Sequence, residues 1–567
     1  MTLIEIEPWE WLGKGIALGK LGNYEEACRC FDEAIKINPK LAEAWYNKGD
    51  ILINLRRYEE VVKCFNEAIR INPNYVDAWY KNGVALRTIS RYEEAIKCYD
   101  EVIKMNPKLV EAWFDKGDAL RNLGRYEQAI GCYDEAIKIN PRFVDAWDNK
   151  IIALRNLGEY EQMIGCYDEA IKINPKDSNA WSNKGHTLKV LGRHKEAIKC
   201  FNEVVRINPN DVDAWSNKGV TLKDLGRHKE AIKCFNEVVR INPNDADAWS
   251  NKGVALMNLS RFEEAVKCFD EVIRINPKDT LAWSKRGLAL RKLGRFEEMV
   301  KCFDEVVRIN PNDADAWSNK GVALRNLSRF EEAVKCFDEV IRINPKDSLA
   351  WSNKGFDLGK LEKHKQALKC YDEAVRINPE DAIVWSNKGA TLANLRRFEE
   401  AIKCFNKAIR IIPKLVEALH DKGIALANLR KYEQAFDCYD EAIKNNPKDA
   451  NAWSNKGHTL KDLGRHKEAI KCFNEVVRIN PNDADAWSNK GISLKKLGKY
   501  KAAIMCFDVA IRINPKDTET WCNKGITLYS LKRYSEALKC AEQTLNINPN
   551  YVLSQRLKQF CLKKVKR

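Results

Sequence analysis

Apolar and small residues along this chain fall into two alternating helical rhythms. From Ala246 to Asp279, Trp249, Gly253, Leu256 and Leu259 recur at helical spacing, and Ser260-Arg261 then break the pattern. Ala265, Cys268, Phe269, Val272 and Ile275 then share one face of a second run. The pattern predicts one helix over about 247–259 and another over about 263–275. Asn276-Pro277 stops the second, because proline lacks an N–H and disfavours helical geometry in the residue before it.

This two-helix unit repeats. Proline stands at 39, 73, 107 and every 34 residues on to 549, and tryptophan keeps the same step from Trp11 to Trp521, with a gap at Leu419. A fixed period of this size marks a repeat solenoid. Counting tryptophan as position 4 gives sixteen repeats, 8–41 to 518–551, without insertion. A seven-residue lead-in (1–7) precedes them. A basic tail (552–567) follows, and Leu553, Leu557, Phe560 and Cys561 would make it a capping helix. In the fifth repeat Ile151 replaces a small glycine and Met163 a small residue, so distortion is expected over 144–177.

With Trp249, Gly253, Leu256, Phe262, Ala265, Phe269, Val272 and Pro277 in place, the unit resembles the tetratricopeptide repeat, and the resemblance covers 8–551. It implies an all-α, right-handed superhelical solenoid of helical hairpins, with the first helix of each pair lining a concave groove. No repeat can bury its own apolar stripe, so neighbours must cover it.

Composition adds exclusions. The chain is 45% apolar and 31% charged, with no run long enough to span a membrane and no export signal at its start, so a cytoplasmic location is expected. Of the net charge of +16, six come from Arg556, Lys558, Lys563, Lys564, Lys566 and Arg567 in the tail. The rest is spread over the repeats with both signs interleaved, which favours solubility over nucleic-acid binding. Sixteen of nineteen cysteines recur at position 23. Equivalent points on stacked helices lie about 9–10 Å apart, too far for a disulfide, so these thiols are expected to pack as small hydrophobes. His194, His228, His364 and His466 stand at a packing position, and His186, His420 and His458 are isolated on first helices. No catalytic or metal-binding motif and no cofactor site is present, and the chain is not expected to be an enzyme.

A helical wheel of the first helix puts positions 3, 4, 7, 8, 11 and 14 on the packed side and 2, 5, 6, 9, 12 and 13 on the groove side. Position 6 is asparagine in eleven repeats: Asn47, Asn149, Asn183, Asn217, Asn251, Asn319, Asn353, Asn387, Asn455, Asn489 and Asn523. An asparagine column offers donors and acceptors to the backbone of an extended peptide, and it resembles the asparagine ladder in the repeat arm of protein O-GlcNAc transferases. Amides that bond a neighbouring helix, or that were simply carried along by duplication, remain the alternative. Tyr46, Tyr80 and Phe114 at position 5 form an aromatic row, with Arg87 and Arg121 beside it at position 12. Lysine holds position 7 in fourteen repeats, and its stem is expected to pack while its ammonium reaches an acid such as Glu271 or helix-end carbonyls.

The leading expectation is a platform that binds an extended protein or peptide segment. The alternative is the detached arm of a multi-subunit enzyme or transferase system, since too little chain follows 551 for a transferase in cis. Nucleic-acid binding is less favoured, and self-association through near-identical repeats is possible. Chaperone-tail receptors of this family carry Lys at 5, Asn at 9 and Lys at 2, a combination found in none of these repeats, so an Hsp70/Hsp90 tail receptor is not expected.

Overall fold

The computed structural model describes residues 7–565. Among the described residues the chain forms thirty-three helices and no strand, an all-α solenoid of helical hairpins. It divides into two compact units, Met1–Ile275 and Asn276–Arg567, each a run of such hairpins. The lead-in up to residue 6 and the last two tail residues lie outside the described part.

The predicted elements come within a residue of those observed. In the eighth repeat the helices are Ala246–Asn258 and Phe262–Ile275. Position 15, between them, has a left-handed backbone in all sixteen repeats. Glycine fills it in half of them (Gly226, φ 73°) and a larger residue in the others (Ser260, φ 58°). The two residues that mark the period bond each other: the indole N–H of Trp249 donates to the carbonyl of Pro243 at 3.0 Å, and the same bond recurs from Trp45 to Trp521. Leu419 cannot make it. In the same repeat Asn445 stands where its counterparts carry Ile or Met, its amide nitrogen is buried without a partner, and the following joint is looser than the others.

Inside a hairpin, the position-24 ring lies against the position-8 glycine. Phe269 is fully buried, and a Cβ on Gly253 would stand 2.8 Å from its ring, so only glycine lets the helices approach this closely. Burying such a ring stabilises by roughly 2–3 kcal/mol. The fifth repeat breaks this rule. Ile151 is buried, its first helix runs a residue longer (Val144–Leu157), and the two helices touch far less than those of any other repeat. Met163 is not the cause. Met299 holds the same place in the ninth repeat, which keeps Gly287 and packs normally.

The tail holds a helix, Val552–Val565, whose buried stripe is turned from the one the sequence marks. Ser554, Leu557 and Cys561 are buried, while Leu553 and Phe560 are more than half exposed. Ala541 replaces the ring of the last repeat, and Leu557 takes that space above Gly525, which sets the helix rotation.

Candidate functional site

Beyond adjacent helices, most of the recurring contacts join the first helices of neighbouring repeats, so first helices crowd along one side of each unit. Positions 5, 6, 9 and 12 meet across these joints, as where Tyr80 reaches Asp115, Arg87 reaches Asp118 and Lys223 reaches Asn251, and this side is the inner face.

The asparagine column is partly engaged within the chain. Most of its members are half-buried. The Asn47, Asn217, Asn251, Asn319 and Asn489 amides each donate to the carbonyl four residues back, at 2.7–3.0 Å. Position-12 cations of the preceding repeat donate to the carboxamide oxygens of four members: Lys223 to Asn251 (2.7 Å), Arg325 to Asn353 (3.0 Å), Lys461 to Asn489 (2.8 Å) and Lys495 to Asn523 (2.6 Å). Asn455 pairs with His420, which also meets Asp421 at 3.0 Å. His420 is therefore not isolated as expected, and the rings of His186 and His458 pack edge-on against Phe201 and Phe473. Among the described residues, the Asn149, Asn183 and Asn387 side chains have no hydrogen-bond partner in the chain. Each amide has two N–H donors and two acceptor positions, so a single back-bond leaves three of the four open.

The aromatic row is half-buried. Tyr46 stacks on Tyr75 at 4.8 Å and leans on Phe65. Phe114 meets Phe143 edge-on at 5.0 Å and leans on Tyr133, and Tyr80 leans on Tyr99. The Tyr80 hydroxyl donates to Asp115 at 2.9 Å. Arg87 spans Asp115 and Asp118, and Arg121 joins Asp118 at 2.5 Å. Lys81 pairs with Asp50 above the Tyr46 ring.

Burial pushes the Asp115 carboxyl up from its ordinary value, with Arg87 pulling the other way. Burial and the Asp115 charge raise the Tyr80 hydroxyl, and burial carries Tyr75 up to about 12. These groups form a nearly self-satisfied polar network laid over packed rings.

The position-7 lysines have a partner different from the one the sequence suggested. Lys116, Lys150 and Lys388 pair at 2.5–2.6 Å with Asp100, Asp134 and Asp372, sixteen residues earlier on the preceding second helix. Lys218, Lys252 and Lys490, which face Asn202, Asn236 and Asn474 there, instead lie 4.6 Å from the ring centre of their own tryptophan. The stem packs as expected, but the acid is position 25 of the previous repeat, not Glu271, because that side chain faces the joint.

All nineteen cysteines are buried, and burial raises Cys64 to about 11, which keeps the thiol protonated at neutral pH. Among the described residues no group of three or more His, Cys, Asp or Glu is placed to hold a metal ion, and no helix is long and apolar enough to cross a membrane.

The fifth repeat adds a feature that sequence reasoning missed. A cavity of about 420 Å³ opens beside Trp147, Ile151 and Tyr167, rimmed by Asp148, Asp177 and Asn183. The Ile151 substitution signalled distortion, yet nothing in the local pattern signalled a void.

Family models described as tetratricopeptide repeat match 42–75, 80–142, 146–177, 178–279, 281–313, 314–415, 416–449 and 450–551, and a TPR repeat model matches 15–55. Among solved structures, Naa15/Naa10 bound to HypK-THB is 16% identical, covering 99% of this chain and 96% of that one, with a TM-score of 0.40. YrrB, described as a TPR protein with an unusual peptide-binding site, is 23% identical over 33% of this chain and 97% of that one, TM-score 0.30. MamA from Desulfovibrio magneticus RS-1 is 22% identical over 30% and 96%, TM-score 0.29. Among curated proteins no significant match is found.

Proposed function

The chain belongs to the tetratricopeptide repeat family, and on that premise we propose that it is a protein–protein interaction platform binding an extended segment along its inner face. The observation that carries this reading is the partly engaged position-6 column. An amide such as Asn217 is oriented by its bond to Asp213 and keeps an N–H and a carbonyl oxygen for a partner backbone. Side chains ordered before binding lose less entropy on binding. Five of the cations that would serve a phosphate track are engaged elsewhere: Arg87, Lys223, Arg325, Lys461 and Lys495 are held by acids or amides of the next repeat. That favours a peptide over a nucleic acid as the partner.

The test compares two baits in capture from extracts of the source cell. One is the native chain, and the other carries Asn217→Ala, Asn251→Ala, Asn319→Ala and Asn353→Ala. Partners held by the first and lost by the second are expected. Identical partner sets on two equally folded baits would sink the reading.

A further inference from the structure

We propose that the cavity of the fifth repeat is an anchor pocket for one aromatic side chain of a basic peptide, held between Tyr167 and Trp147 with a neighbouring Lys or Arg at Asp148 and Asp177.

The shape comes from comparing the same positions in three repeats. Positions 5 and 34 hold Tyr46 and Tyr75 in the second repeat and Phe114 and Phe143 in the fourth, and each pair packs over the position-24 ring. In the fifth repeat those two positions are Asp148 and Asp177, beside Tyr167. Two ring volumes are thus replaced by two short carboxylates. Ile151 holds the helices apart, where glycine would let them close. Repeats six to twelve also lack rings at positions 5 and 34, but they keep the position-8 glycine and stay packed. Only this repeat combines the lost rings with the lost glycine.

Its chemistry fits an aromatic group beside a cation. The walls are apolar, with Val144, Trp147, Ile151, Tyr167 and Ile173, and the cavity falls within the usual size range of ligand sites. Val144 and Ile173 are at least half exposed at its edge, a cost that a partner's apolar group would remove. Asp148 and Asp177 stand on the rim, with Asp145 close by and Arg142 as the cation in the lining, so acids outnumber bases. Burial first, and then Asp145 and Asp177, raise the Asp148 carboxyl, a repulsion that an incoming ammonium or guanidinium would relieve. One oxygen of Asp177 already caps the next helix, accepting from the Ala180 N–H at 3.0 Å, which fixes the carboxylate in place. Asn183, without a partner in the chain, borders the same opening, so a peptide running along the asparagine column would pass the pocket.

This inference rests on the inner face being a peptide surface, and the two readings fail differently. The probes are three short amidated peptides with cores Lys-Phe-Lys, Lys-Ala-Lys and Glu-Phe-Glu, titrated calorimetrically into the full chain. The Lys-Phe-Lys peptide is expected to bind at least about tenfold more tightly than either other. Ile151→Gly, which restores the glycine of the other repeats, and Asp148→Phe, which fills the space from within, are each expected to lose about tenfold. Circular dichroism melts check that both variants remain folded. Asp148→Asn is expected to lose several-fold, and less at high salt.

Equal binding by native chain and Ile151→Gly overturns the pocket. Lys-Ala-Lys binding as well as Lys-Phe-Lys, or none of the three binding, does so too. The four-asparagine variant has no substitution in the pocket and is expected to keep the Lys-Phe-Lys peptide. Loss of partners by that variant, with the peptide binding Ile151→Gly undiminished, would leave the groove reading standing and remove the pocket alone.

Discussion

Repeats two to four and repeats six to eight share one hairpin but make the joint between repeats by different means. In the earlier set the residue before each first helix is Leu41, Tyr75 or Leu109, and it gives the helix no side-chain cap. Rings do the work instead, as where Tyr46 stacks on Tyr75, and a charged network runs over them from Lys81 to Arg121. In the later set that residue is Asp177, Asp211 or Asp245, each accepting the backbone N–H three residues on at 2.8–3.0 Å, and position 5 shrinks to serine. The same position can thus hold a joint by buried area or by a cap. The choice decides what the inner face offers: the early repeats present groups already bonded to one another, and the later ones present amides with capacity to spare. The fifth repeat, between the sets, has neither the early rings nor the later close packing.

Four substitutions test this contrast. The largest effect is expected from Arg87→Met, which leaves Asp115 buried without its main counter-charge and costs about 3 kcal/mol, read from urea melts. Its pH dependence has a definite sign. Asp115 already has a raised pKa, and without Arg87 it rises further above the unfolded value. Such a group binds its proton more tightly when folded, so the deficit is full above the folded pKa and fades as pH falls through it. The gap between variant and native chain is therefore expected to be widest at neutral pH and to narrow on acidification. A pH-independent gap would assign the loss to packing.

Gly253→Ile rebuilds the wedge of the fifth repeat inside the eighth. It is expected to cost about 2 kcal/mol through overpacking against Phe269 and to speed hydrogen exchange over 262–275. Unchanged exchange there would mean that glycine is not what sets helix approach. Asp245→Ala removes a cap of the later kind and is expected to cost about 1 kcal/mol. A loss close to zero would deny that the later joints depend on capping. The smallest effect is a gain. Ser260→Gly relieves a left-handed backbone and is expected to add about 0.5–1 kcal/mol, seen as a higher urea midpoint.

Much of the fold was legible along the chain because each repeat carries its own punctuation. Pro277 ends a helix by local chemistry, and the predicted second helix misses the observed start by one residue, at Phe262. The lysine partner was harder to see. Lys116 meets Asp100 sixteen residues back, across a joint that a wheel drawn for one helix cannot represent. A signal did exist, since where position 25 changes to asparagine, as at Asn202, the lysine moves onto its tryptophan. The rotated tail helix escaped for a related reason: Leu557 was placed by the room above Gly525, not by its own helix's stripe.

The sequence by itself determined the period, the two helices of each repeat, the stack they must form and the repeat that would depart from it. These follow from local torsional preferences and from apolar stripes that no single hairpin can bury. The tertiary structure decided how far the asparagine amides are already engaged, which acids the lysines reach, and that a cavity opens beside Ile151. Those outcomes depend on distances between helices that only packing fixes, since the same residue bonds, stacks or stands free according to what its neighbouring repeat brings within reach.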